Sequence, residues 1–267
     1  MLEQIILLTA QSAQQLALSE LLKAHNPRLR VHTALNAQDL AAIAPDTLRR
    51  ARLIAFTSGT IVAPEILDGL GYGAYNFHPG PPDYPGWAPA HFALHEGAKT
   101  FGATAHLMVE RVDAGPIVGI ETFPILAGIA VRELEQIAFI RLAYLFWRLA
   151  KDLATRSEPL AVLPIAWSGW KSTRKDYVSA CQIPTDISKA ELELRVRAFH
   201  DDFRAIYPTI NLHGFQFQLI APTAAGGHAP QPDPPRPEIR PPRGDRCALD
   251  RHDRRPARRR LNGRNAT

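Results

Sequence analysis

The sequence predicts an α/β protein: a doubly wound, mostly parallel sheet, then a small α+β C-terminal subdomain and a disordered tail. Three observations carry that prediction. Short apolar runs alternate with amphipathic stretches through the first half of the chain, the pattern of strands joined by crossover helices. That alternation stops near residue 165, after which helical and hairpin signals are sparse. From residue 222 the composition changes altogether, with nine prolines, eleven arginines and few periodic apolar residues up to Thr267.

Ile5–Leu8 reads as a buried strand and Gln11–Ala24 as a helix whose apolar residues are Leu16, Leu18, Leu21 and Leu22. Asn26-Pro27 breaks that helix. Leu29–Thr33 alternates as a second strand, Ala37–Ile43 forms a helix, and Leu53–Phe56 a third strand after a polar link. Pro64 suits the first position of a helix running to Leu70. Gly71-Tyr72-Gly73 then leads into a fourth strand, Ala74–Phe77. Ala90–Gly97 is helical, Ala103–Val109 and Ile117–Phe123 are extended, and Val131–Leu153 is a long helix able to cover one sheet face. Tyr144, Phe146 and Trp147 on that helix are assigned to core packing. Beyond a connector at Pro159–Pro164, Lys189–Phe199 is a helix with Ser188 as its N-cap. Phe215–Leu219, following His213-Gly214, is half of a hairpin.

The chain has 267 residues, 46% hydrophobic and 21% charged, enough to bury a sizeable core. Its net charge of +5 is unevenly spread. Residues 222–267 hold eleven arginines against five acids, leaving 20 basic and 21 acidic residues in the first 221. The body is therefore near neutral, and a basic footprint for RNA or acidic lipid exists only in the tail. No apolar run approaches the ~20 residues of a membrane helix. The start lacks a basic n-region, and two cysteines, Cys181 and Cys247, make no disulfide framework. These features predict a cytoplasmic protein with no membrane association.

Familiar cofactor and nucleophile motifs are missing. Thr9-Ala10-Gln11-Ser12-Ala13 follows the first strand where a dinucleotide fold needs a glycine-rich turn. Neither a Gly-x-x-x-x-Gly-Lys-Ser/Thr loop nor a Gly-x-Ser-x-Gly elbow occurs. The chemistry-bearing residues concentrate instead between Asn76 and Pro124. Period-two alternation points Asn76 and His78 to the same side at the end of the fourth strand. A proline-stiffened loop, Pro79 to Trp87, follows directly and suits a preformed pocket wall. Asp113, on a loop bounded by glycine and proline, is the carboxylate best placed to meet them. An amide donor, an imidazole and a carboxylate fit acyl-type transfer, where an oxyanion is stabilised and an attacking amine loses a proton. On pattern alone, hydrogen bonds closing a strand end explain Asn76-Phe77-His78 equally well.

The order and spacing of five blocks add to this. They are Asn76-Phe77-His78, Tyr84-Pro85-Gly86, Ala93 to Gly97, Phe101 to His106, and Val112 to Ile117. Together they resemble the N10-formyltetrahydrofolate-dependent formyltransferase family, whose members act on methionyl-tRNA, glycinamide ribonucleotide and sugar amines or hydrolyse the formyl-folate. The clear match spans about Thr57 to Phe123. The resemblance implies a formyltransferase N-terminal-like fold for 1–165 as the catalytic domain, with 166–221 as the small subdomain and 222–267 as the tail. It implies that Asn76, His78 and Asp113 are catalytic, with Asn76 and a protonated His78 holding the oxyanion. Asp113 would orient His78 and help move the amine proton. Glu110, Arg111, Val112 and Gly115 would border the folate donor, N10-formyltetrahydrofolate, and Pro79, Gly80 and Trp87 the acceptor.

Pro79-Gly80-Pro81-Pro82 stands where well-known members carry Ser-Leu-Leu-Pro, and is similar to the formyltransferase-like domain of a hydrogenase-maturation protein. About fifty residues follow Pro164 before the tail, where the tRNA enzyme carries a basic second domain, and the chain up to residue 221 has no net positive charge. A small-molecule amine is therefore favoured over tRNA as acceptor. Hydrolysis by water and a non-catalytic folate-binding paralogue are the alternative readings. His91 and His95 have the i, i+4 spacing of a metal pair, but the Glu of His-Glu-x-x-His is absent, so no metal is assigned. His106 is read as core or supporting packing. Trp167 to Ser172 is placed near the pocket without a chemical role.

Overall fold

Every residue of Gln4–Thr9 (β1) and Ala51–Phe56 (β3) is buried, as strands covered on both faces require. In the computed structural model, which describes residues 2–200 and 204–219, they form the centre of a six-stranded sheet. Its order is β2-β1-β3-β4-β5-β6, adding Arg30–Ala34 (β2), Ala74–His78 (β4), Thr100–Leu107 (β5) and Ile117–Pro124 (β6). The first four strands are parallel, while β4–β5 and β5–β6 pair antiparallel. The sheet is thus mostly parallel, with an antiparallel edge beginning where the alternation of strand and helix stops.

Helices Ser12–His25 (α1), Ala37–Ala41 (α2), Pro45–Leu48 (α3) and Pro64–Gly69 (α4) make the crossovers. Pro45 and Pro64 each open a helix at a position where the missing N–H costs nothing. The short α3 falls in the stretch expected to be a polar link; four residues are too few to show periodicity. Pro89–His95 (α5) precedes β5, and Val131–Thr155 (α6) runs 25 residues over the sheet.

Strand alternation divides the interior. Ile54, Phe56, Tyr75 and Phe77 pack with α1 and α6 in one apolar cluster. Leu53, Ala55 and Ala74 face the opposite cluster, with Leu40 and Leu48. Period two therefore sends Asn76 and His78 away from α6, onto the face covered by the short helices. On α6 itself Phe146 is fully buried, whereas Tyr144 and Trp147 are half exposed and stack on each other at 5.7 Å. The assignment of all three to the core is corrected for these two, which lie on the helix's outer side.

A third cluster joins α5 and the start of α6 to the later segment through Tyr177, Cys181 and Phe199. That segment contains Arg174–Ala180 (α7), Gln182–Ile183 (β7), Lys189–Phe199 (α8), Thr209–Leu212 (β8) and Phe215–Gln218 (β9). Strands β7, β8 and β9 form a small second sheet. Ser188 caps α8 by accepting the Glu191 N–H, as its sequence predicts. His213 and Gly214, both at positive φ, make the two-residue turn of the β8–β9 hairpin. These residues belong to one compact unit ending at Ala221. The tail expected over 222–267, and Cys247 within it, lie outside the described residues.

Candidate active site

Sheet register assembles the site. Parallel pairing sets Ala55 beside Asn76, and antiparallel pairing sets Asn76 opposite His106 and His78 opposite Thr104. Directly opposed residues share a face and touch. The Asn76 amide nitrogen accordingly lies 3.1 Å from His106 Nε2. Asp113 arrives from the β5–β6 loop at φ 48°, a left-handed conformation that Asp tolerates.

Asp113 is the hub. Its Oδ2 accepts the Gly86 N–H at 2.9 Å and lies 3.7 Å from His78 Nδ1. Its Oδ1 lies 3.3 Å from His106 Nε2 and accepts from the Asn76 amide at 3.4 Å. Burial pushes its carboxyl up, but His78, His106 and the Gly86 N–H outweigh burial and hold its pKa at about 2. Asp113 is therefore ionised at neutral pH. For His78 the balance runs the other way. Burial pulls the imidazole below its usual range more strongly than Asp113 and the Tyr84 carbonyl raise it, and His106 adds to the lowering. Burial thus favours a neutral resting ring, and a protonated His78 is a matter for the reaction.

These groups border a cavity of about 660 Å³, a ligand-sized volume. Asn76, His78 and Asp113 line it together, as do Pro79 and Trp87 from the proline loop and Glu110, Arg111 and Val112 beside Asp113. Gly80 and Gly115 are not among the lining residues. A Cβ on Gly80 would meet His78 Nε2 at 2.6 Å, so that glycine makes room for the imidazole. A Cβ on Gly115 would come within 1.9 Å of the Leu107 carbonyl oxygen, so close backbone approach explains it.

Other lining residues carried no sequence signal of their own. Residues 57–62, after β3, form one wall; Glu135 and Phe139 come from α6, and Lys171 and Arg204 from the later segment. Of five non-glycine residues at positive φ among the described residues, Thr57, Ala88 and Asp113 line this cavity. Backbone strain gathered at one place is a mark of a functional site. Arg204 stacks over Trp87 at 5.0 Å, pairs with Glu135 at 3.1 Å and reaches His91 Nε2 at 3.3 Å. Burial, and then Arg204, depress the His91 pKa to about 3. His95 meets Glu191 on α8 instead, so the two histidines serve different neighbours. Among the described residues no group of three or more His, Cys, Asp or Glu is set to hold a metal.

Trp167 to Ser172 now has a physical account. Trp167 donates its indole N–H to the Gly115 carbonyl at 2.8 Å and stands edge-on to His106 and His78, at 5.0 and 6.1 Å. Ser172 Oγ lies 2.6 Å from the Trp87 carbonyl and 3.1 Å from that of Pro85. The segment thus pins both the loop carrying Asp113 and the proline loop.

Residues 8–139 match the formyl transferase family. Methionyl-tRNA formyltransferase of Listeria monocytogenes is 30% identical over 119 residues, covering 44% of this chain and 36% of that protein. The chain thus spans about a third of the length of such curated relatives. A sugar N-formyltransferase from Shewanella sp FDAARGOS_354 has a similar fold, with TM-score 0.66 and 18% identity over 82% of this chain and 97% of that one. An N-formyltransferase from Helicobacter canadensis, solved with folinic acid and dTDP-3-aminofucose, has TM-score 0.58 and 15% identity, covering 80% and 85%. HypX from Aquifex aeolicus reaches TM-score 0.53 at 16% identity, over 82% of this chain and 37% of its own.

Proposed function

We propose that this chain, whose residues 8–139 match the formyl transferase family, transfers a formyl group from N10-formyltetrahydrofolate to a small-molecule amine. The observation that carries it is the convergence of Asn76, His78 and an ionised Asp113 on one cavity. We assign catalysis to residues 1–165 and wall-building to 166–221.

The cavity fits a flat, polar-edged heteroaromatic donor. Val62, Leu67, Met108 and Phe139 supply apolar surface, and residues 110–113 run along it. The Helicobacter neighbour, crystallised with folinic acid, supports a folate at this fold. The donor brings an activated formyl group; this chain's residues handle charge and protons. Neutral His78 accepts the proton that the attacking amine releases. The imidazolium so formed faces Asp113, and donates to the formyl oxygen together with Asn76 as negative charge develops there; on collapse the formyl carbon–N10 bond breaks and the imidazolium returns its proton to the departing N10. The charged histidine thus belongs to the reaction and not to the resting protein. Gly80 keeps His78 clear of steric contact, and the Gly86 N–H keeps Asp113 ionised.

One fact favours a small acceptor over tRNA: the first 221 residues have no net positive charge. We place the protein in the cytoplasm; among the described residues no helix is long and apolar enough to cross a membrane.

The test is deformylation of N10-formyl-5,8-dideazafolate, followed by absorbance, with nucleotide-linked amino sugars, other small amines and methionyl-tRNA as acceptors. Acceptor-dependent turnover, abolished in Asn76→Ala, His78→Ala and Asp113→Ala, is the expected result. Turnover without acceptor makes the protein a hydrolase, and folate binding without any turnover overturns the enzymatic reading.

A further inference from the structure

The proposed chemistry leaves one buried imidazole at the site without a role. His106 is 2% exposed, and both its nitrogens are committed. Nδ1 lies 2.8 Å from the carbonyl oxygen of Leu107, which can only accept, so Nδ1 carries a hydrogen. Nε2 faces the Asn76 amide nitrogen at 3.1 Å and Asp113 Oδ1 at 3.3 Å. Trp167, edge-on at 5.0 Å and tied to the Gly115 carbonyl, keeps the ring from swinging out.

We propose that His106 is a positioning residue which, through Nε2, locks the Asn76 amide and the Asp113 carboxylate into one unit. Nε2 meets the Asn76 amide on one side and Asp113 Oδ1 on the other, and the amide itself donates to Asp113 Oδ1, so the amide plane is set by two contacts instead of one. His106 thereby fixes how Asn76 is presented to an oxygen in the cavity. The catalytic consequence rests on the formyl-transfer reading; the hydrogen-bond arrangement does not.

The groups facing Asp113 are His78 and Asn76 on β4, His106 on β5 and the Gly86 N–H. Glu110 and Arg111 flank it on its own loop, and Lys171 reaches the Val112 carbonyl at 3.4 Å. Of these, His106 is one of the groups that keep the carboxyl acidic. His106→Leu preserves bulk and removes both hydrogen bonds, whereas His106→Gln restores a donor and an acceptor near Nε2.

The expected results are a tenfold or larger fall in kcat for His106→Leu, with KM for the folate analogue changed less than about threefold, and substantial recovery in His106→Gln. In 13C-Asp protein the Asp113 carboxyl, assigned through Asp113→Asn, titrates at higher pH in His106→Leu than in wild type. If His106→Leu melts earlier but keeps its kcat and its Asp113 titration, His106 only packs and the proposal fails. Should that variant not fold, the 15N shift of His106 Nε2 decides. It moves in both Asn76→Ala and Asp113→Asn if the nitrogen is shared, and its constancy overturns the proposal. A wild type that moves no formyl group defeats the function proposed above, while both NMR readouts still judge His106.

Discussion

Arg52 and Asp113 are both charged side chains taken out of water, and they are handled in opposite ways. Arg52 is 0% exposed and donates to backbone carbonyls of Tyr72, Leu153 and Glu158 at 3.2, 2.7 and 3.3 Å, with that of Asp152 at 3.4 Å. Two of those carbonyls end α6, where the helix dipole is negative and the last oxygens lack intrahelical partners. Its hydrogen bonds go to fixed backbone acceptors and its guanidinium lies over the Tyr75 ring at 5.3 Å, so none of its hydrogen-bond partners exchanges a proton or rotates to admit a ligand. Asp113 faces side chains that titrate or rotate, and one side of its cluster opens on a cavity. Burial of charge alone therefore does not mark a site. Titratable partners together with an open volume do.

The largest expected effect is on activity. Asp113→Asn, nearly isosteric, should lower formyl transfer by about a thousandfold, in the range measured when a preorganised electrostatic partner is lost. Chemical denaturation of the same variant at pH 7 should show a much smaller change than that of Arg52→Leu. Arg52→Leu should cost about 3–5 kcal/mol of unfolding free energy, because it strands buried carbonyls. Its turnover per folded molecule should match wild type, and equal loss of turnover in both variants would erase the distinction between the two clusters.

Acid titration of stability sharpens the comparison. The His91 pKa is depressed in the folded protein, so the unfolded chain binds the proton more tightly. The contribution is full above about pH 6.5 and is lost as pH falls toward about 3, up to ~5 kcal/mol at the acid end. His91→Phe should flatten that slope in urea unfolding followed against pH. Asp113 acts in a lower window, its contribution fading from about pH 4 to about 2. Asp113→Asn should alter only that lower limb.

Two smaller effects probe how the site is held. Gly80→Ala places a methyl group against His78 Nε2 and should reduce kcat about tenfold while folate-analogue binding survives; equilibrium binding beside steady-state rates separates these. Trp167→Phe keeps a ring over His106 but deletes the bond to the Gly115 carbonyl. A stability loss of about 1 kcal/mol is expected by differential scanning calorimetry, with a few-fold loss of rate.

Local sequence carried the alternation of buried strands and helices, the cap at Ser188 and the hairpin turn at His213-Gly214, because each depends on neighbours within a few residues. It also carried Asn76 and His78 as same-side residues, since a period of two needs no knowledge of the partner strand. Asp113 became legible through block order, the resemblance supplying what periodicity could not.

Tertiary structure decided the rest. His106 joins the site because β5 pairs antiparallel with β4 in the register that opposes it to Asn76, and a slip of one residue would turn it to the other face. Arg204, Glu135 and Lys171 reach the cavity from segments far apart in the chain, so no window of sequence contains their geometry. The charge on His78 was also a tertiary matter. Burial of the ring, which no local pattern encodes, lets desolvation outweigh the attraction of Asp113.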